Sequence, residues 1–176
     1  FPNSKGEKLA ALLDLPLGSP TAYTLFAHCF TCGKDNLAAK RIAEQLTMRG
    51  LGVLRFDFTG LGGSQGDFAN TNFSSNVDDL VAAADHLRKT HAAPTILIGH
   101  SLGGTAMLAA AGKIPEARGV ATIAAPYQPN HVTNLFKADI EKLREDGEIE
   151  VTLAGRQFQI KREFLEDVAD KNLHDH

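Results

Sequence analysis

Apolar positions fall into short blocks separated by glycine- and proline-rich breaks, and most blocks have strand length rather than the length of a long helix. Residues 8–14 are apolar enough for an early strand, and Leu15-Pro16-Leu17-Gly18-Ser19-Pro20 is rich in turn formers. Residues 22–28 (AYTLFAH) predict a buried strand. Ala39, Ile42, Ala43 and Leu46 then recur at i, i+3, i+4 and i+7, the spacing of a helix face that Gly50 ends. Residues 51–57 (LGVLRFD) predict the next strand and residues 59–66 a glycine-rich loop. A helix is expected over 76–89, with Ser75 and Asp78 spaced like a capping box. Residues 94–100 (PTILIGH) predict another strand, a small-residue helix runs through Leu108, and residues 119–125 (GVATIAA) predict a further strand.

Strands that alternate with helices, each strand apolar on both faces, imply an α/β fold: a mostly parallel sheet covered by helices on both sides. Right-handed crossovers then put the strand C-termini along one edge, where ligands bind in open sheets of this kind. His28, Asp57 and Ser101 all fall at or just after such ends. After Pro126 the pattern changes. Ile149, Val151 and Leu153 alternate with polar residues, Gly155-Arg156 can turn the chain, and Phe158 and Ile160 alternate on the return, which predicts a hairpin. Short helices are expected near 134–145 and 162–170. The chain therefore divides into a core (1–126) and a cap-like insertion (127–176).

The strongest chemical signal is Gly99-His100-Ser101-Leu102-Gly103, followed by Gly104. A G-x-S-x-G run directly after a strand and before a helix has the context of a nucleophile elbow, a sharp turn that lifts the serine hydroxyl off the sheet edge. The glycines remove side chains that would clash in such a turn. The helix that begins there directs its positive end at the site, and the Leu102 N–H is placed as an oxyanion donor. His100 leaves the strand on the opposite face from Ser101, so it reads as a packing residue and not as the base. A second donor is needed from the loop after an earlier strand; the Phe30 N–H in His28-Cys29-Phe30-Thr31 is the candidate.

Cys29-Phe30-Thr31-Cys32 is also a C-x-x-C run at a strand-to-helix junction, so a redox dithiol is chemically permitted beside the reading of Cys29 as a small packing residue. The loop that follows Asp57 is not a dinucleotide fingerprint, because Gln65 stands where its third glycine would fall. Asp57 reads as a structural acid that binds loop backbone.

Composition changes this picture little. Among 176 residues, 18 Lys and Arg against 21 Asp and Glu give a net charge of -3, which does not suggest nucleic-acid binding. No apolar run reaches the ~20 residues of a membrane span. With two cysteines and no visible secretory signal, the expected location is cytoplasmic. The missing initiator Met and the abrupt end at His176 read as a fragment.

The runs LFAHCFTCGKD, RFDFTGLGGSQG and LIGHSLGGTAMLAAA resemble the α/β-hydrolase superfamily over most of the chain, and within it the hydrolase domains that bacteria fuse ahead of an OsmC-like domain. The resemblance implies Ser101 as nucleophile, with Phe30 and Leu102 as oxyanion donors. Such hydrolases continue through two more strands that carry the triad acid and histidine, and nothing after Ala125 reads as those strands. The order Ser, acid, His allows Asp170 as acid and His174 or His176 as base; His131 is a further candidate. The expected function is esterase-like hydrolysis of a small ester or acyl substrate through an acyl-serine, with no metal or organic cofactor. Two other readings stay open: a catalytically silent interaction domain, and a thiol redox protein using Cys29 and Cys32. A sheet cut short would expose its last strand, which invites a homo-oligomer through that edge.

Overall fold

A computed structural model describes residues 1–171. Its main sheet has five strands: β1 (Ala11–Asp14), β2 (Ala22–Ala27), β3 (Leu51–Phe56), β4 (Ile96–His100) and β5 (Gly119–Ile123), in the order β1-β3-β2-β4-β5. β1 runs antiparallel to β3; the other pairings are parallel. β2 lies at the centre, with Leu25 in register with Leu54 of β3 and Leu97 of β4. All three leucines are buried, as expected where both sheet faces are covered.

Helix α1 (Leu37–Thr47) sets Ala39 and Ala43 against Phe26, Val53 and Ile98 on one face. The other face is covered by α2 (Phe73–Thr90) and α3 (Leu102–Ala111), which bury Leu80, Leu87 and Met107. The start of α2 corrects the sequence reading. Asn72, not Ser75, is the N-cap: its side chain accepts from the Ser75 N–H at 2.8 Å, while the Ser75 hydroxyl accepts from the Asn72 N–H at 2.9 Å. Ser75 thus fills the third helical position of the box. Phe73, 1% exposed, anchors this additional turn in the core.

Beyond residue 126 come a 3-10 segment (Pro129–Asp139), α4 (Ile140–Asp146), the hairpin strands β6 (Glu148–Leu153) and β7 (Arg156–Lys161), and α5 (Arg162–Asp170). The hairpin turns at Ala154 and Gly155, with φ of 50° and 76°, the left-handed pair of a type I′ turn. Its inward residues Ile149, Val151, Leu153, Phe158 and Ile160 join the same apolar cluster as Leu54, Leu97 and Met107. Packing is therefore continuous across residue 126. Asp167 of α5 accepts from the backbone N–H of Ser74 at 2.8 Å and from its hydroxyl at 2.6 Å, placing a carboxylate at the N-terminus of α2, where the helix dipole favours it.

Candidate active site

The chain passes from β2 to β3 on one side and then crosses to β4 on the other. This reversal makes the C-terminal ends of β2 and β4 the switch point of the sheet, where a crevice must open. The loop with Phe30 leaves β2 there, and Ser101 follows β4 there.

Ser101 has φ 53° and ψ -130°, a left-handed conformation that costs a non-glycine residue about 1–3 kcal/mol. Its backbone is held from both sides. The Ser101 N–H donates to the Ile123 carbonyl at 2.8 Å, and the Ser101 carbonyl accepts from Gly104 at 2.8 Å. Although Ser101 is the N-cap of α3, its side chain makes no capping hydrogen bond, so the hydroxyl is not committed to the helix. The flanking glycines are required by close approach. A Cβ on Gly103 would lie 2.1 Å from the His28 carbonyl oxygen, and one on Gly99 would lie 2.5 Å from that of Gly103.

Ser101, Phe30, Leu102, His131 and Leu135 line one cavity of about 420 Å³, together with residues 124–126. The loop after β5 forms one wall. Ala124 takes φ 49°, and the Thr105 hydroxyl donates to the Pro126 carbonyl at 2.7 Å, tying this loop to α3. Val132 and Leu135 bring an apolar wall from the 3-10 segment. Among the described residues, neither the Phe30 N–H nor the Leu102 N–H finds a hydrogen-bond acceptor, although both residues are buried. Two amides without a protein acceptor, on residues that share a cavity with a serine hydroxyl, are an arrangement suited to an anionic oxygen.

The Phe30 loop is braced at both ends. His28, 1% exposed, lies with Nδ1 2.7 Å from the Cys29 carbonyl oxygen and Nε2 3.3 Å from the Phe58 N–H. Burial pushes its pKa down to about 4, against the opposing effects of the Cys29 carbonyl and the Asp57 charge. At the far end, Asp57 accepts from the backbone N–H of Lys34 at 2.6 Å and of Gly63 at 2.9 Å, and pairs with the Lys34 ammonium at 3.0 Å. Burial raises the Asp57 carboxyl, but these donors and the Lys34 charge together hold it below the ordinary carboxylate value. Asp57 is thus a structural acid, as its sequence position suggested. The Phe30 ring packs against Phe68 and Phe164, with centroids 5.4 Å and 5.2 Å away, so helix α5 clamps the same loop.

Four of the residues singled out in the sequence therefore meet on one cavity: Ser101, Phe30, Leu102 and His131. His131 is exposed, with Nδ1 3.4 Å from the Asn134 side-chain nitrogen. Asp170 is not brought there. It ends α5 in an exposed position and is not among the residues lining the cavity, because the inward face of that helix is taken by Phe164 and Val168. His174 and His176 lie outside the described residues. Cys29 and Cys32 are joined in a disulfide, both partly exposed. Among the described residues no group of three or more His, Cys, Asp or Glu is placed to hold a metal ion. Sequence reasoning missed the bracing role of His28, though its place directly after a strand was a signal.

Residues 20–165 match the family model described as serine aminopeptidase, S33. The chain belongs to this α/β-hydrolase family. The family match spans residue 126, so residues 127–165 are included in it. The esterase domain of a Rhodothermus marinus protein is 48% identical in sequence, superposes with a TM-score of 0.73, and is matched over 99% of this chain and 68% of that one. The Butyrivibrio proteoclasticus protein Est1E, solved with ferulic acid, shares the fold at 21% identity and a TM-score of 0.79, over 97% of this chain and 70% of that one. Mouse mitochondrial palmitoyl-protein thioesterase ABHD10 is 30% identical over 57% of this hydrolase chain and 33% of its own length. The chain thus spans about a third of that curated relative.

Proposed function

We propose that this chain carries the nucleophile and oxyanion hole of a serine hydrolase that cleaves a small carboxylic ester or thioester. The observation that carries the reading is the Ser101 hydroxyl, held in a left-handed turn without a capping bond, on a cavity shared with Phe30 and Leu102, whose N–H groups have no acceptor among the described residues. In this reading the Ser101 Oγ attacks the substrate carbonyl carbon and gives its proton to a base. Negative charge moves onto the carbonyl oxygen, where the N–H groups of Phe30 and Leu102 receive it. A donor of this kind contributes roughly 2.7–4 kcal/mol to the transition state. The tetrahedral species collapses to an acyl-serine as the leaving alkoxide or thiolate takes the proton, and water then releases the acid. The apolar walls contributed by Leu102, Val132 and Leu135 suit the acyl chain.

The base is assigned to the strands that such hydrolases carry after the nucleophile half, with His131 the alternative within the described residues. His131→Ala in the full-length protein is expected to leave ester hydrolysis within about threefold of wild type, since among the described residues this exposed imidazole meets the Asn134 amide and no carboxylate that could orient it as in a triad. A fluorophosphonate probe tests the main reading. Covalent labelling of Ser101 is expected and should vanish in Ser101→Ala. If the full-length protein resists the probe, the domain is a silent interaction module. The thiol redox reading has one observation in its favour, the partly exposed Cys29–Cys32 disulfide. Disulfide or peroxide reactivity that is unchanged in Cys32→Ser would remove it.

A further inference from the structure

The amide of Phe30 can serve the site only if its peptide plane is held with the N–H toward the cavity. The carbonyl of that same peptide unit belongs to Cys29, and in a trans peptide the C=O and N–H point in opposite directions. Whatever grips the Cys29 oxygen therefore aims the Phe30 hydrogen. Two donors grip it: the Cys32 N–H at 3.1 Å, and His28 Nδ1 at 2.7 Å. We propose that His28 is a positioning residue of the oxyanion hole, acting through the Cys29 carbonyl to fix the Phe30 N–H. The proposal rests on the serine-hydrolase reading above and adds to it a residue that does not touch substrate.

The two ring nitrogens of His28 face partners of opposite kind. A carbonyl oxygen can only accept, so Nδ1 must carry the hydrogen. The Phe58 N–H can only donate, so Nε2 must present its lone pair. A single neutral tautomer satisfies both, and neither protonation nor the other tautomer does. The burial that depresses the His28 pKa keeps the ring in this neutral form at physiological pH. The ring is locked edge-on against Phe58, centroids 4.9 Å apart at 76°, so it has little freedom to release the carbonyl. The backbone of His28 in turn lies against the elbow, where the hydrogen atom of Gly103 in place of a side chain leaves room for its carbonyl. One residue thus references the oxyanion loop both to the loop after β3, through Phe58, and to the nucleophile turn.

Three substitutions in the full-length protein test this, read by hydrolysis of p-nitrophenyl butyrate and inhibition by an alkyl trifluoromethyl ketone. The ketone forms a hemiketal with serine and places an oxyanion in the hole. His28→Phe removes both polar contacts; kcat should fall about a hundredfold with KM within about twofold, and the ketone should weaken in parallel with kcat. His28→Asn keeps a donor near the position of Nδ1 and should recover most of the loss, whereas His28→Gln, whose amide reaches toward Nε2, should not. Ring ¹⁵N shifts of the wild type should report hydrogen on Nδ1 alone at neutral pH. The inference is overturned if hydrogen resides on Nε2, if Asn and Gln lose equally, or if a folded His28→Phe keeps kcat and ketone affinity within about threefold. If the wild type neither hydrolyses the ester nor labels at Ser101, the hydrolase reading itself falls. Wild-type labelling with an indifferent His28 sinks only the positioning role.

Discussion

At the scale of single residues, the site is built from positions where the preferred side chain conflicts with the backbone. Ser101 sits at a helix N-cap, where serine ordinarily bonds back to the helix, yet its hydroxyl does not do so. Gly103→Ala would force a Cβ to 2.1 Å from the His28 oxygen, and because the obstacle is backbone the loss of stability should be about 3 kcal/mol or more by urea unfolding. His28 makes a second, pH-dependent contribution. Its pKa in the fold is about 4 against an ordinary 6.5, so between those values the unfolded chain binds a proton that the folded chain refuses. Stability from this group is complete above about pH 6.5 and is lost as pH falls toward 4, by on the order of 3 kcal/mol. Unfolding free energies measured across this window should therefore slope less steeply in His28→Asn than in wild type.

At the scale of elements, most strands and helices could be read from the sequence because each carries its own periodicity. The strand at 22–28, the helix face of Ala39 to Leu46 and the hairpin around Gly155 all stand where their patterns put them. The start of α2 was harder to read because its capping box carries serine where Glu or Gln is usual, and the first turn is anchored by Phe73, whose burial depends on the rest of the fold. The bracing of the Phe30 loop could not be read at all: it joins His28 to Phe58, and Asp57 to Lys34 and Gly63, across loops that meet only in three dimensions. Elements also hold one another. Asp167→Ala removes the carboxylate at the N-terminus of α2 and should cost about 1–2 kcal/mol, seen as a lower thermal midpoint. Cys32→Ser opens the disulfide beside Phe30, which helps to hold the Cys32 N–H on the Cys29 carbonyl, and should lower kcat several-fold without changing KM.

At the scale of the whole molecule, strand order decides where chemistry can occur. The reversal at β2 and β4 opens the crevice, and the elbow and the Phe30 loop enter it because each follows one of those two strands. That much was legible from the alternation of strands and helices, and the family from the runs around His28, Asp57 and Ser101. The side of the cavity formed by Val132 and Leu135 was not, since a 3-10 segment has no strong hydrophobic period of its own. β5 is hydrogen-bonded to β4 alone among the described strands, with Ile123 40% exposed. Pairing between copies through this edge should make the apparent mass of the 176-residue chain rise with concentration in sizing experiments; a constant monomer would exclude it. The same strand has a more intimate tie to the nucleophile. Its last carbonyl, on Ile123, receives the Ser101 amide, so any breathing of β5 moves the serine with it. A strand laid along this rim would thus stand one hydrogen bond away from the nucleophile.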